Sequence, residues 1–319
     1  MRRLTTAFVA ALTSITLASC GLGTSGGFTR SGSLSGEVSD IDLTGMDVSV
    51  GSKNYTEQIL LGKIGVVLLQ SAGADVHDLT NIPGSTSVRQ AQLEGDVNFS
   101  FDYTGTAWVT YMGETDPIPD EQKQYEAVRD ADAENGLVWL PPAKMNNTYG
   151  LAVRAETAEK YEMSSLEDIA KLPEEERTYC VDAEFNARND GFTPMLKTYD
   201  LSAPSAEQKS IIDTGAIYQA TADGTCTLGE IFNTDGRIPA LDLVPLSDPR
   251  GFFPKYNMAP VVNADLIEQH PEIEQLLEPV IDDLDDEQMQ ELNRKIDVDG
   301  RDYADVAFEY LQELGIVDE

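Results

Sequence analysis

Residues 99 to 108 read FSFDYTGTAW, and the stretch changes character half-way. Val97, Phe99 and Phe101 are separated by polar residues, the period of a strand that buries one face. From Asp102 the alternation stops, and Tyr103, Thr104, Gly105 and Thr106 form a turn-like cluster of the kind that hands a strand over to a helix. A tyrosine and two hydroxyls therefore stand at the carboxyl end of a strand, where open α/β sheets hold their ligands. Groups for covalent chemistry are scarce by comparison. His77 and His270 are far apart and have no carboxylate or cysteine cluster beside them, so neither a metal site nor a histidine-based triad is supported. Nothing like a nucleophile elbow, zinc motif or phosphate loop is present. The expectation is a binding protein with no catalytic residue, metal or cofactor. An exported enzyme using Asp or Glu pairs is the alternative from another class.

The elements that position this corner follow a strand, loop, helix rhythm. MDVSV from Met46 reads as a strand and GSKNYTEQ as a loop; Ile59, Leu60, Ile64, Val67 and Leu68 then line one face of a helix closing at Gly73. Asn54 with Glu57 three residues later resembles a capping box, which starts that helix near Tyr55. A second strand around Leu79 to Ile82, a helix opened by PGSTSVRQAQLEG and the strand Val97 to Phe101 follow. This alternation implies a largely parallel sheet with right-handed crossovers. A second unit begins after PPAKMNNTYGLAVR, with YGLAV, TYCVDAEF and CTLGEIFNTDG as strands and SSLEDIAKL and DGFTPMLKTY as helices. Beyond MAPVV only helices are expected. A chain leaving one lobe near Tyr149 and returning near Asp248 makes two lobes joined by two crossovers, with the ligand in the cleft between them. Lobe I is then 45–149 with 250–319, and lobe II is 150–249.

The ends and the bulk composition bound the setting. MRRL is followed by an apolar run from about Ala7 to Leu17 and then LASC. The run is too short to span a bilayer and reads as a signal peptide over 1–20. Small residues before Cys20 resemble a lipobox, which would leave a lipidated Cys20 holding the exported protein to the outer face of the cytoplasmic membrane. Ordinary cleavage with an incidental cysteine is the alternative. Residues 21–44, rich in Gly, Ser and Thr, read as a flexible tether. The remaining stretch of about 275 residues suffices for two lobes. A net charge of −34, from 56 acidic and 22 basic residues, argues against nucleic acid and against an electrostatic hold on anionic lipid. Cys180 and Cys226, in a chain bound for an oxidising compartment, are read as a disulfide, with two free buried thiols as the alternative.

Six segments in order, GSKNYTEQILLGKI, DYTGTAW, NNTYGLAV, FNARNDGF, GEIFNTDGRI and FFPKYNMAPVV, resemble the substrate-binding proteins of osmoprotectant ABC transporters, for glycine betaine, carnitine and choline. The resemblance covers nearly all of the folded part. It implies an α/β, two-lobed type II periplasmic-binding-protein fold, an ABC permease as partner and a monomeric protein. It also implies the ligand chemistry. A quaternary ammonium has no N–H to donate, so aromatic faces hold it best. Carried over by motif, the ring cage is Tyr103, Tyr149, Phe232 and Tyr256, with Phe232 standing where the family usually has tyrosine. Gln58 and Thr106 match the family's polar contacts to a carboxylate. A neutral Thr106 favours ligands that bring their own carboxylate, since choline-type members tend to carry an acid there. Arg188 is implied as a lobe-stabilising or cleft-edge residue, paired with Asp190 or Asp235, and not as a ligand contact. Another solute on the same scaffold, such as choline or an amino acid, is the alternative; an amino acid would call for a basic clamp instead of a ring box. Phe99, Phe101, Tyr111 and Tyr310 are assigned to core.

Overall fold

The computed structural model describes residues 30–319; the expected signal peptide, the expected lipidation site Cys20 and the first part of the expected tether lie outside the described residues. Twelve strands occur among them: β1 (Ser33–Leu34), β2 (Asp47–Lys53), β3 (Asp75–Ile82), β4 (Phe99–Tyr103), β5 (Leu137–Trp139), β6 (Tyr149–Arg154), β7 (Tyr179–Val181), β8 (Lys209–Ile211), β9 (Leu228–Phe232), β10 (Leu243–Leu246), β11 (Met258–Asn263) and β12 (Val317–Asp318). They form a sheet in the order β3-β2-β4-β11-β5, a second in the order β10-β6-β9-β7-β8, and the small pair β1-β12. Each five-stranded sheet is the centre of one lobe. The helix Thr56–Ser71 is buried on nearly all sides, between the first sheet and the helix Tyr303–Glu313. Its Leu60, Leu61, Ile64, Val67 and Leu68 are fully buried, which is why its apolar residues spread beyond a single stripe.

Both sheets are mixed, not largely parallel as the strand–helix alternation implied. β2 runs parallel to β3 and β4, but β11 is antiparallel to β4 and β5. In the second lobe β7 is parallel to β8 and β9, whereas β6 is antiparallel to β9 and β10. The physical reason is the double crossing. A strand entering a lobe from the hinge starts at the cleft, and it is inserted beside strands that end there. Local periodicity carries no record of direction.

The expected tether is also too long. Ser33 and Leu34 pair with Asp318 and Val317, and Val38 and Leu43 are 1% exposed against the first lobe's core. Three well-spaced apolar side chains in a Ser- and Gly-rich stretch are enough to dock it, because β12 offers an open edge to pair with.

The two crossovers, 140–148 and 247–257, lie side by side. Asn146 and Asn257 make an antiparallel bridge. The Tyr256 N–H donates to Asn146 Oδ1 at 2.8 Å, and the Asn147 N–H donates to the Tyr256 carbonyl at 3.2 Å. In the second lobe, Cys180 on β7 and Cys226 just before β9 are joined with Cα atoms 5.7 Å apart.

Candidate functional site

Strand ends build the cleft. β2 ends at Lys53, β4 at Tyr103 and β9 at Phe232, while β6 begins at Tyr149 and β11 two residues after Tyr256. Register then brings rings together: Tyr149 is the ladder partner of Phe232, and Tyr103 that of Met258. The ring centroids of Tyr149 and Phe232 lie 5.0 Å apart, and Tyr256 meets Tyr149 edge-on at 5.5 Å. A cavity of about 290 Å³ opens beside them between the lobes, and its walls include Tyr103, Thr106, Tyr149, Phe232 and Tyr256. All four predicted rings and Thr106 thus share one cavity. Gln58 does not line it. Gln58 is buried behind the wall, where its Oε1 accepts from the Lys53 N–H at 3.3 Å.

The cavity has further walls that the motifs did not single out. Tyr55 stacks on Phe232 at 5.0 Å between centroids and lines the same space. Lys53 also lines it, with Nζ 2.7 Å from Asp102 Oδ1 and 4.9 Å from the centre of the Tyr103 ring. Glu57 enters the cavity as well, and the expected capping box does not form. The helix starts at Thr56 with Tyr55 as its N-cap and no side-chain cap. Asn54 Oδ1 accepts instead from the Gly84 N–H at 3.2 Å, and the Glu57 carboxylate turns into the cleft. There it accepts from Tyr103, Asn147, Thr234 and Asn293, more than one backbone N–H could offer. Burial pushes the Glu57 carboxyl up to about 6, against the lowering pull of those four donors. The missed residues had one available signal: GSKNYTEQ sits at the carboxyl end of a strand, as DYTGT does.

Arg188 pairs with Asp190, through two bonds of 2.7 and 2.6 Å, and not with Asp235, which Arg237 holds. The Arg188 guanidinium lies 5.2 Å from the centre of the Tyr149 ring, and Tyr256 Oη donates to Asp190 Oδ2 at 2.5 Å. This buried pair backs two rings of the cleft. The lobes meet across the opening. The Ser85 N–H and hydroxyl donate to Glu184 at 3.2 and 2.5 Å, and Arg237 reaches Asp297 at 3.4 Å. Thr234 of the second lobe meets Glu57 of the first. The cleft is closed. Asp182, Glu184, Asp213, Asp235 and Asp297 also border it, outnumbering the cations Lys53 and Arg237 of the same wall, so its potential favours a ligand carrying positive charge. Phe99 and Phe101 are core, and Tyr310 lies under the C-terminal helices. Half-buried Tyr111 donates its hydroxyl to Asp102 at 2.8 Å, outside the cavity wall.

Comparison with known proteins agrees with this architecture. Residues 46–313 match the model of the substrate-binding domain of ABC-type glycine betaine transport systems. The chain belongs to this family. It is similar to the glycine-betaine-binding protein of Pseudomonas aeruginosa, 35% identical over 278 residues that cover 85% of this chain and 88% of that one. It is 36% identical over 276 residues to the glycine betaine-binding protein YehZ of Escherichia coli, covering 84% and 90% of the two chains. The solved apo YehZ structure superimposes with a TM-score of 0.65 at 34% identity, over 84% of this chain and 99% of that one. The fold is the two-lobed type II arrangement of periplasmic binding proteins.

Proposed function

We propose that this protein captures glycine betaine or a related quaternary-ammonium osmoprotectant outside the cytoplasmic membrane and delivers it to an ABC permease. The observation that carries the reading is the convergence of Tyr103, Tyr149, Phe232 and Tyr256, drawn from both lobes and the hinge, on one acidic cavity. Aromatic faces attract a cation that has no N–H to donate, and closure completes the box. The carboxylate end of a betaine meets Thr106 and Lys53, the hydroxyl and the cation of the lobe I wall. Gln58 supports the Lys53 backbone from behind and acts through it. No bond is made or broken in this role. Lipidation of Cys20 anchors the protein, which acts as a monomer; mass spectrometry of the mature N-terminal peptide, carrying lipid or not, tests the anchor.

The direct test of the ligand is calorimetric titration of the folded chain with glycine betaine, proline betaine, carnitine, choline and an ordinary amino acid. Saturable micromolar binding of a trimethylammonium zwitterion, about −8 kcal/mol, is expected. Binding of the amino acid alone would replace the reading with another solute on the same scaffold. Recovery of the ligand unchanged after denaturation separates capture from turnover.

A further inference from the structure

We propose that Glu57 is the positioning residue of the cleft: one buried carboxylate that ties all four rings and both lobes into a single arrangement. This rests on the quaternary-ammonium reading above. Glu57 is 3% exposed at the start of the helix Thr56–Ser71. Its Oε1 accepts from Tyr103 Oη at 2.5 Å and from Asn147 Nδ2 at 2.7 Å. Its Oε2 accepts from the Thr234 hydroxyl and from Asn293 Nδ2 at 3.2 Å.

Each donor leads to a ring or a lobe. Tyr103 is itself a ring of the cavity. Asn147 stands two residues before Tyr149, and its backbone N–H holds the carbonyl of Tyr256 at 3.2 Å. Thr234 stands two residues after Phe232, and its own carbonyl accepts from Asn293 Nδ2 at 2.9 Å. No salt bridge reaches Glu57 among the described residues, and the neighbouring cation Lys53 is held by Asp102 at 2.7 Å. An ionised carboxylate accepts about four hydrogen bonds and donates none. Four neutral donors from β4, the first crossover, the turn after β9 and the helix Asp286–Asp297 use that capacity fully. A glutamine there would present an N–H₂ to two of the four donors.

The test is a double-mutant cycle on betaine affinity with Glu57→Gln, Tyr103→Phe and the two combined. Tyr103→Phe keeps the ring face and removes only the donor. If Glu57 positions the rings, Glu57→Gln weakens glycine betaine binding at least tenfold, Tyr103→Phe weakens it several-fold, and the double variant is no weaker than Glu57→Gln alone. Effects that multiply, or wild-type affinity in Glu57→Gln, would overturn the proposal. Were Glu57→Gln not to fold, Thr234→Val with Tyr103→Phe forms the same cycle. The ligand-free protein supplies an independent readout through the Tyr103 ring resonances of tyrosine-labelled samples, which Glu57→Gln should shift and broaden. Wild type that binds no quaternary ammonium would defeat the functional reading, whereas unchanged Tyr103 resonances in Glu57→Gln would defeat the anchor.

Discussion

At the residue scale, the two ends of one small ligand can be probed separately within DYTGT. Tyr103 is 2% exposed at the end of β4, with its ring on the cavity and its hydroxyl on Glu57. On the proposed cage, Tyr103→Ala would remove a cation–π contact and the wall around the methyl groups, so betaine binding should weaken by about 2 kcal/mol or more. Titration of the refolded variant, with its circular dichroism unchanged, checks this. Thr106, three residues on and 4% exposed, faces the same space. If Thr106 meets the carboxylate as proposed, Thr106→Asp sets a negative charge against it and should depress betaine affinity while choline is tolerated or favoured. Parallel titrations with the two ligands at fixed salt read out the sign. An aspartate that weakened choline as much as betaine would mean that Thr106 faces some other part of the ligand.

At the element scale, the turn after β4 and the strand pairings of the second lobe set how well these side chains are held. A Cβ on Gly105 would stand 2.6 Å from the Lys255 carbonyl and 2.6 Å from Cδ1 of the Tyr256 ring. Neither neighbour is the loose end of a flexible chain. Gly105→Ala should therefore push Tyr256 out of place, lowering stability by about 1–3 kcal/mol and betaine affinity with it. Urea denaturation and titration measure the two effects side by side; a variant as stable as wild type with unaltered affinity would show that the turn can give. The disulfide between Cys180 and Cys226 closes a separation of 46 residues across β7 and β9. In the chain-entropy model that constraint is worth about 4 kcal/mol. Reduction should lower the urea midpoint of the second lobe, and non-reducing peptide mapping of exported protein should show one linked pair. Two alkylatable thiols in native material would contradict it.

At the scale of the whole molecule, closing the cleft buries charge, and this makes stability depend on pH. Burial raises the Glu57 carboxyl from its ordinary 4.5 to about 6. The titratable groups that share the cavity wall with it are Tyr55, Tyr103, Lys53, Asp235, Arg237 and Asp297, and its own partners are the neutral donors Tyr103, Asn147, Thr234 and Asn293. A carboxyl whose pKa is raised on folding binds its proton more readily in the folded state. Its stabilising contribution is complete below 4.5 and is lost as pH rises through about 6. The shift corresponds to about 2 kcal/mol. Urea unfolding of wild type and Glu57→Gln at pH 4 and pH 7 should show the difference between them changing by that amount, with wild type relatively weaker at pH 7. Buried Glu230 and Asp182, whose carboxyls are also raised by desolvation, are common to both proteins and cancel. A difference independent of pH would place Glu57 in contact with water.

The amino-acid sequence by itself determined the strands that end in loops at a cleft, the double crossing between two lobes, and the motifs that place Tyr103, Tyr149, Phe232, Tyr256 and Thr106 at those loops. The strand ends and the crossings are local properties, a period of two broken by glycine and proline; the choice of these four rings and of Thr106 is what the resemblance of their motifs to the family implies. What only the tertiary structure decided is which side chains meet. The facing of Tyr149 with Phe232 is a register between positions more than eighty apart in the chain. The antiparallel insertion of β6 and β11 follows from where the chain re-enters each lobe. Glu57 has a sound local reading as a capping residue, and it loses to four donors from distant parts of the chain. A helix can begin without a side-chain cap at modest cost. A carboxylate in a closed cleft cannot be left without partners, and those partners exist only once both lobes are in place.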